Sequence, residues 1–171
     1  LMVKMTDLYR QYLDIAEPLN SSVRKILEGS AFVRGEEIAI LEEELAQLLD
    51  VRHCITCANG TDALTLALMA VGIGRGDEVI VPAFSFAAAA EAVALVGAVP
   101  VFADVDPVTF GINHRSVERL LSHRTKAIIP VHLFGLPCDM TALMEIARTA
   151  DLKIIEDNAQ SLGATCHICG D

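Results

Sequence analysis

The sequence predicts an α/β fold on a mostly parallel sheet, and three observations carry that reading. Short runs rich in Val and Ile alternate with helix-length amphipathic segments over residues 53–156. Strands joined by helices in this way need crossover connections, which make neighbouring strands parallel. Gly, Pro, Asn and Asp gather at the junctions, where such units turn. No internal repeat, low-complexity tract or linker interrupts the series.

The N-terminal third is helical. One helix is expected over residues 8–28, stopped by Gly29, and a second over 36–49. In the second, Ile38, Leu41, Leu45, Leu48 and Leu49 recur at three and four residues and make one apolar stripe. Residues 29–35 between them read as a glycine-bounded loop. Type then alternates: strand 53–57, helix 61–71, turn 72–77, strand 78–81 and helix 85–96. Strand 99–103, a loop at Asp104-Val105-Asp106-Pro107 and a helix over 116–121 follow. Strand 126–131, helix 139–150 and a fifth strand over 153–156 complete the pattern. The expected division is a helical segment over residues 1–50 and an α/β domain from 51 to 171.

Composition narrows the function classes. The chain has 171 residues and a net charge of −10. Such a surface repels a phosphate backbone, so nucleic acid is not an expected partner. No unbroken apolar run reaches the roughly 18 residues of a membrane span. The richest stretch, residues 79–102, is broken by Pro82, Ser85, Glu91, Gly97 and Pro100. Leu1-Met2-Val3-Lys4 lacks a signal peptide's pattern, and Leu before Met reads as a tag scar. The expected location is the cytoplasm.

Five cysteines, an odd number, argue against a secreted disulfide framework. Cys54-Ile55-Thr56-Cys57 and Cys166-His167-Ile168-Cys169 have metal-like local spacing, with His53 or His167 as substitutes. The long folded stretch between them does not suit a zinc ribbon, and no metal is expected. The first pair reads as buried thiols in a strand. The second leaves a metal or redox role open.

In an open parallel sheet, ligands gather where strands end and helices begin. Four junctions hold candidates. At Ala58-Asn59-Gly60-Thr61-Asp62, small residues and a helix start offer free N–H groups and the Thr61 hydroxyl to a phosphate. Taken alone, these residues favour a plain cap by Asn59 with Asp62 in the first turn. At Pro82-Ala83-Phe84-Ser85-Phe86, either ring could stack on a flat ligand or pack in the core. At Pro130-Val131-His132-Leu133-Phe134-Gly135, His132 suits proton transfer, though a satisfied structural histidine is the commoner case. At Glu156-Asp157-Asn158-Ala159-Gln160, strand parity sends Glu156 and Asp157 to opposite faces, so they do not form one acid pair. One of them suits a protonated pyridine nitrogen, unless Asp157 only caps the next turn.

In their order and spacing, these four junctions resemble the pyridoxal-phosphate (PLP) sugar aminotransferases of the DegT/DnrJ/EryC1/StrS family. Met5-Thr6-Asp7-Leu8, Asp104-Val105-Asp106-Pro107 and Arg124-Thr125-Lys126-Ala127-Ile128-Ile129 agree, and the resemblance runs through essentially the whole chain. It implies a three-layer α/β/α architecture, the large domain of PLP fold type I, stopping before the small C-terminal domain. Gly60, Thr61 and Asp62 match the phosphate loop and Phe86 the ring-stacking aromatic. Asp157 matches the acid at the pyridine nitrogen. Ala159 would pack on the ring, and Gln160 matches a position, Gln or His in relatives, beside the phenolic oxygen. His132 is family-typical but without an assigned role.

The resemblance implies a cofactor-bonding Lys a short way beyond Asp171; Lys126 and Lys153 do not replace it, since each begins a strand at the end away from Asp157. The resemblance implies transamination of a nucleotide-linked keto-sugar with glutamate as amino donor, in amino-sugar or surface-polysaccharide biosynthesis. It also implies a homodimer when intact. The Asn59–Leu64 stretch, Phe84-Ser85-Phe86 and Gln160 look most like members that aminate a sugar at C3. Three alternatives stay open: a dehydratase with His for Lys, a non-catalytic regulator of the family, and a nucleotide-binding module outside it.

Overall fold

The computed structural model describes residues 5–167. Leu1–Lys4 and the last four positions, which include Cys169 of the second C-x-x-C pair, lie outside the described residues. Two compact units divide between Thr56 and Cys57.

The first unit carries α1 (Leu8–Gly29) and α2 (Glu36–Leu48). The Asp7 side chain accepts the Arg10 N–H at 3.2 Å to start α1, and Ser30, in the left-handed region, ends it one residue past Gly29. Lys25 reaches Glu36 and Glu37 at 3.4 Å each. α2 forms close to its expected bounds, with Leu49 of the expected stripe just past its end, yet neither helix has a buried residue. Two helices have too little facing surface to enclose their own apolar sides.

The expected strand at 53–57 does not form. Residues 52–58 have no regular structure, and Ile55 is exposed. Among the described residues, no neighbouring strand takes up its backbone groups. Instead Glu42 of α2 accepts both the N–H and the hydroxyl of Thr56, at 2.8 Å each. Those bonds hold the Glu42 carboxyl below the usual range, the backbone donor having the larger effect. The buried-thiol reading fails with the strand: Cys54 is half-buried and Cys57 exposed.

The second unit is the α/β layer structure. Its elements are α3 (Gly60–Ala70), β1 (Glu78–Pro82), α4 (Ala88–Leu95), β2 (Val99–Ala103), α5 (His114–Leu120), β3 (Thr125–Ile128), α6 (Met140–Ala150) and β4 (Lys153–Ile154). The four strands lie in the order β2-β1-β3-β4 and are all parallel. Strand parity divides their side chains. Val79, Val81, Ala127 and Ile129 pack under α3 and α4, with Leu64, Leu68, Ala92 and Val93. Ile80 and Ile128 pack on the other face with Val117 of α5 and Leu143 and Ile146 of α6. Helices therefore cover both faces, as β1, buried at every position, requires.

The sequence places β3 as far as residue 131, but its regular ladder stops at Ile128. Pro130 has no N–H to give, so pairing resumes only as a single parallel bridge between Val131 and Asp157. β4 is likewise two residues long where four are expected. The helix expected from residue 85 begins at Ala88, leaving residues 83–87 as a loop at the strand ends. Among the described residues, no helix is long and apolar enough to cross a membrane.

At the N-terminal edge of the sheet, buried Glu78 pairs with Arg124 and accepts the Ser122 hydroxyl at 2.5 Å. The contact ties β1 to the turn that starts β3. Arg124→Ala leaves a buried carboxylate with one neutral donor, so unfolding free energy should fall by about 1–3 kcal/mol. Urea denaturation with an unchanged slope would measure that loss; an unchanged midpoint would contradict it.

Candidate active site

The chain order reverses between β1 and β3: β2 lies outside β1 on one side and β4 outside β3 on the other. At such a switch point the C-terminal strand ends leave a crevice. The four junctions singled out from the sequence all belong to this unit, and three follow directly on strands.

The first begins α3. Asn59 caps the helix, accepting the Asp62 N–H at 2.9 Å and giving its own amide to Asp62 Oδ2 at 3.0 Å. The plain cap is thus present, and the reciprocal bond turns the Asp62 carboxylate to the cap. The N–H groups of Gly60 and Thr61 have no acceptor among the described residues. A Cβ added at Gly60 would meet nothing within 4 Å, so the helix start is open to a ligand.

The second junction follows β1. Phe84 and Phe86 are exposed, 52% and 78%, so the core-packing reading does not hold for either. Phe84 instead meets Phe110, ring centres 5.7 Å apart, and Phe110 meets Phe134 edge-on at 6.2 Å. These rings come from three different loops. Phe110 and Phe134 both have φ of +59°, a region bulky residues rarely adopt. The sequence shows three aromatics near strand ends but not that the strand order brings them together. Phe86 stands outside this group, with an open ring.

At the third junction His132 is buried, and both ring nitrogens are committed. Nδ1 accepts the Cys138 N–H at 3.0 Å, and Nε2 lies 2.9 Å from Glu156 Oε2. A backbone N–H can only donate and a carboxylate can only accept, so the proton sits on Nε2. His132 is therefore a strut between the β3 and β4 ends, with no lone pair left for proton transfer.

The fourth junction carries Asp157. Its N–H donates to Pro130 O at 2.9 Å, and its carbonyl accepts the His132 N–H at 3.1 Å. Ile155 packs on the α3–α4 side and Ile154 on the α5–α6 side. Asp157 shares the parity of Ile155, while Glu156 turns the other way to His132. Asp157 Oδ1 accepts the Ala159 N–H at 3.1 Å, which shapes the turn; Oδ2 has no partner among the described residues. The turn cap and an available acceptor therefore coexist on one carboxylate. Ala159 and Gln160 are exposed on the same turn. The Gln160 Oε1 accepts the Phe134 N–H at 2.8 Å, joining the third and fourth junctions.

Lys126 and Lys153 are exposed at the N-terminal starts of β3 and β4, the opposite edge from Asp157. Cys138 is buried beside His132, its thiol bonded to Val131 O at 3.2 Å and pushed up mainly by burial. Among the described residues, no group of three or more His, Cys, Asp and Glu gathers to hold a metal ion.

A model of the DegT/DnrJ/EryC1/StrS aminotransferase family matches residues 13–168. The chain belongs to that family. A relative from Acidithiobacillus ferrooxidans, a UDP-N-acetyl-3-dehydro-α-D-glucosamine 3-aminotransferase, is 48% identical over 95% of this chain and 44% of its own. The solved structure of S. venezuelae DesV superposes with a TM-score of 0.91 at 37% identity, covering 94% of this chain and 43% of that one. NtdA from Bacillus subtilis, solved with bound pyridoxamine phosphate (PMP), gives 0.86 at 38%, covering 89% and 35%. The chain thus spans less than half the length of these relatives.

Two measurements check this geometry. Native thiol labelling read by mass spectrometry should modify Cys57 and Cys166 quickly and Cys138 only on unfolding; rapid native labelling of Cys138 would contradict its burial. The loop carrying Phe110 rests on Asp106, whose carboxylate accepts the Thr109 and Val108 N–H groups at 2.9 Å and is held below its ordinary range by them, Thr109 first. A lowered folded value means stability present above the ordinary carboxyl range and lost as pH falls through the lowered one. The stability gap between wild type and Asp106→Ala should stay level down to about pH 5 and close on further acidification. A gap that widens in acid would contradict the assignment.

Proposed function

We propose that the intact protein is a PLP-dependent aminotransferase that aminates a nucleotide-linked keto-sugar, taking the amino group from glutamate. The observation that carries this reading is Asp157. It is an acid locked by its own backbone between β3 and β4 at the C-terminal edge, with one carboxylate oxygen shaping the turn and the other available. A protonated pyridine nitrogen is the partner that such an oxygen suits.

The residues present fit the cofactor. Gly60 and Thr61 would hold its phosphate with the unpaired N–H groups at the start of α3, and Thr61 adds a hydroxyl. The Asp62 carboxylate, turned to the Asn59 amide, shapes that cradle from within the first turn. Phe86 would cover one ring face, Ala159 would pack on the ring, and Gln160 would meet its edge. PLP supplies the electron sink for moving an amino group between carbon centres. Asp157 would hold the proton on the ring nitrogen. His132 and Glu156, spent on each other, hold the strand ends that carry Asp157.

The substrate class is supported by the A. ferrooxidans relative, whose name specifies a UDP-linked 3-keto sugar. Amino-sugar biosynthesis, including that of surface polysaccharides, follows from the same class. A homodimer acting in the cytoplasm belongs to this reading by family analogy.

The test is Asp157→Ala in the full protein. Turnover should fall by about a hundredfold or more, with circular dichroism unchanged. A near-normal rate would remove Asp157 from the site.

A further inference from the structure

Two phenylalanines carry a backbone strain that their turns do not require. Val105 and Ile112 pair as an antiparallel bridge. Asp106 closes the loop between them, giving its N–H to Gly111 O and accepting the Phe110 N–H at its own carbonyl, at 2.8 Å each. A hairpin loop of this kind ends in the left-handed region, where Gly or Asn fits with least strain. Phe110 occupies that position, with φ of +59°. Phe134 repeats the choice at the same φ, directly before Gly135, and the Gln160 side chain holds its N–H at 2.8 Å. Burial does not compensate, because both rings are exposed. Strain of this sort persists where a site needs the side chain there.

The strained rings meet at one place. Phe110 contacts Phe84 on one side and Phe134 on the other. Phe84 follows β1 and Phe134 follows β3, the neighbouring strands between which the chain order reverses. The three rings therefore stand at the mouth of the switch-point crevice, where an open parallel sheet binds its ligands. Phe110 and Phe134 lie at 84° to each other and so form a corner.

We propose that Phe84, Phe110 and Phe134 form an aromatic corner that takes the apolar face of the substrate's pyranose ring. The inference rests on the keto-sugar reading above and names residues for it. A nucleotide-linked sugar has the sugar at one end, the base at the other and the diphosphate between. The corner is fastened to the turn that carries Asp157 and Gln160, so it meets the part of the substrate nearest the reacting carbon. Phenylalanine rings offer no hydrogen-bond donor to a diphosphate, but their faces suit the C–H groups on one side of a sugar ring.

Phe110 meets both other rings, so it carries the test. In the full protein, Phe110→Asn removes the ring and eases the backbone, while Phe110→Tyr keeps a ring. Cofactor absorbance follows each half of the transfer: glutamate converting PLP to PMP, and a UDP-linked 3-keto sugar converting PMP back. Phe110→Asn should raise the sugar concentration needed for half-maximal rate by about tenfold. Its glutamate half-reaction should stay within about twofold of wild type, with UDP inhibition unchanged and the urea midpoint no lower. Phe110→Tyr should stay within about threefold in the sugar half-reaction.

An unchanged sugar dependence in Phe110→Asn would overturn the proposal, as would Phe110→Tyr behaving like it. Weakened UDP inhibition would place the nucleotide at the corner, and a lowered midpoint or a slowed glutamate half-reaction would make the rings packing for another part of the protein; each overturns it too. A wild type that reacts with glutamate but not with the keto-sugar would overturn the substrate reading, and this inference with it. One that fails with glutamate would overturn the cofactor reading.

Discussion

The site depends on one backbone pairing, the parallel bridge between Val131 and Asp157. Pro130 interrupts the β3 ladder, yet its carbonyl still accepts the Asp157 N–H, and the Asp157 carbonyl returns a bond to the His132 N–H. Two bonds across a proline hold the β3 and β4 ends in register past the last regular pair. Register in a sheet decides which face every side chain meets, and a slip of one residue would exchange them. With this register, Asp157 shares the α3 face with Val131 and Ile155, and Glu156 faces His132. The other placement would put Glu156 on the α3–α4 face and leave Asp157 on the α5–α6 face.

The His132–Glu156 contact reinforces that choice chemically. A buried imidazole needs partners for both nitrogens, and the fold supplies a backbone N–H on one side and a carboxylate on the other. Cys138, which provides that N–H, packs its thiol against Val131 O and so returns to the same strand end. The Gln160–Phe134 contact fastens the outer parts of the same two loops. Asp157, Gln160 and His132 are therefore parts of one connected edge.

The fold and the site were legible in the sequence to different depths. Parallel α/β architecture follows from period and spacing, and β1, β2, α3 and α6 fall within a residue or two of their expected bounds. The strand expected at 53–57 fails because periodicity reports a segment's preference and not whether a partner is present; Glu42 supplies bonds there in place of a ladder. Gly60, Thr61, Asp157 and Gln160 could be singled out as residues at junctions. The exposure of Phe84 and Phe86 could not, because rings at strand ends read the same whether they enter the core or stand at its rim.

By itself, the sequence determined the class of fold, the chain order of the junctions and the types of residue they carry. These are local properties, written in period, in turn residues and in motifs a few residues long. Only the tertiary structure decided which residues meet. It spent His132 on Glu156, brought Phe84, Phe110 and Phe134 together from three loops, and turned the Gln160 amide by a backbone N–H lying 26 residues earlier in the chain. The physical reason is strand order: β3 and β4 place side by side two loops that the sequence separates by the whole of α6, and the contacts of His132 and Gln160 arise from that adjacency.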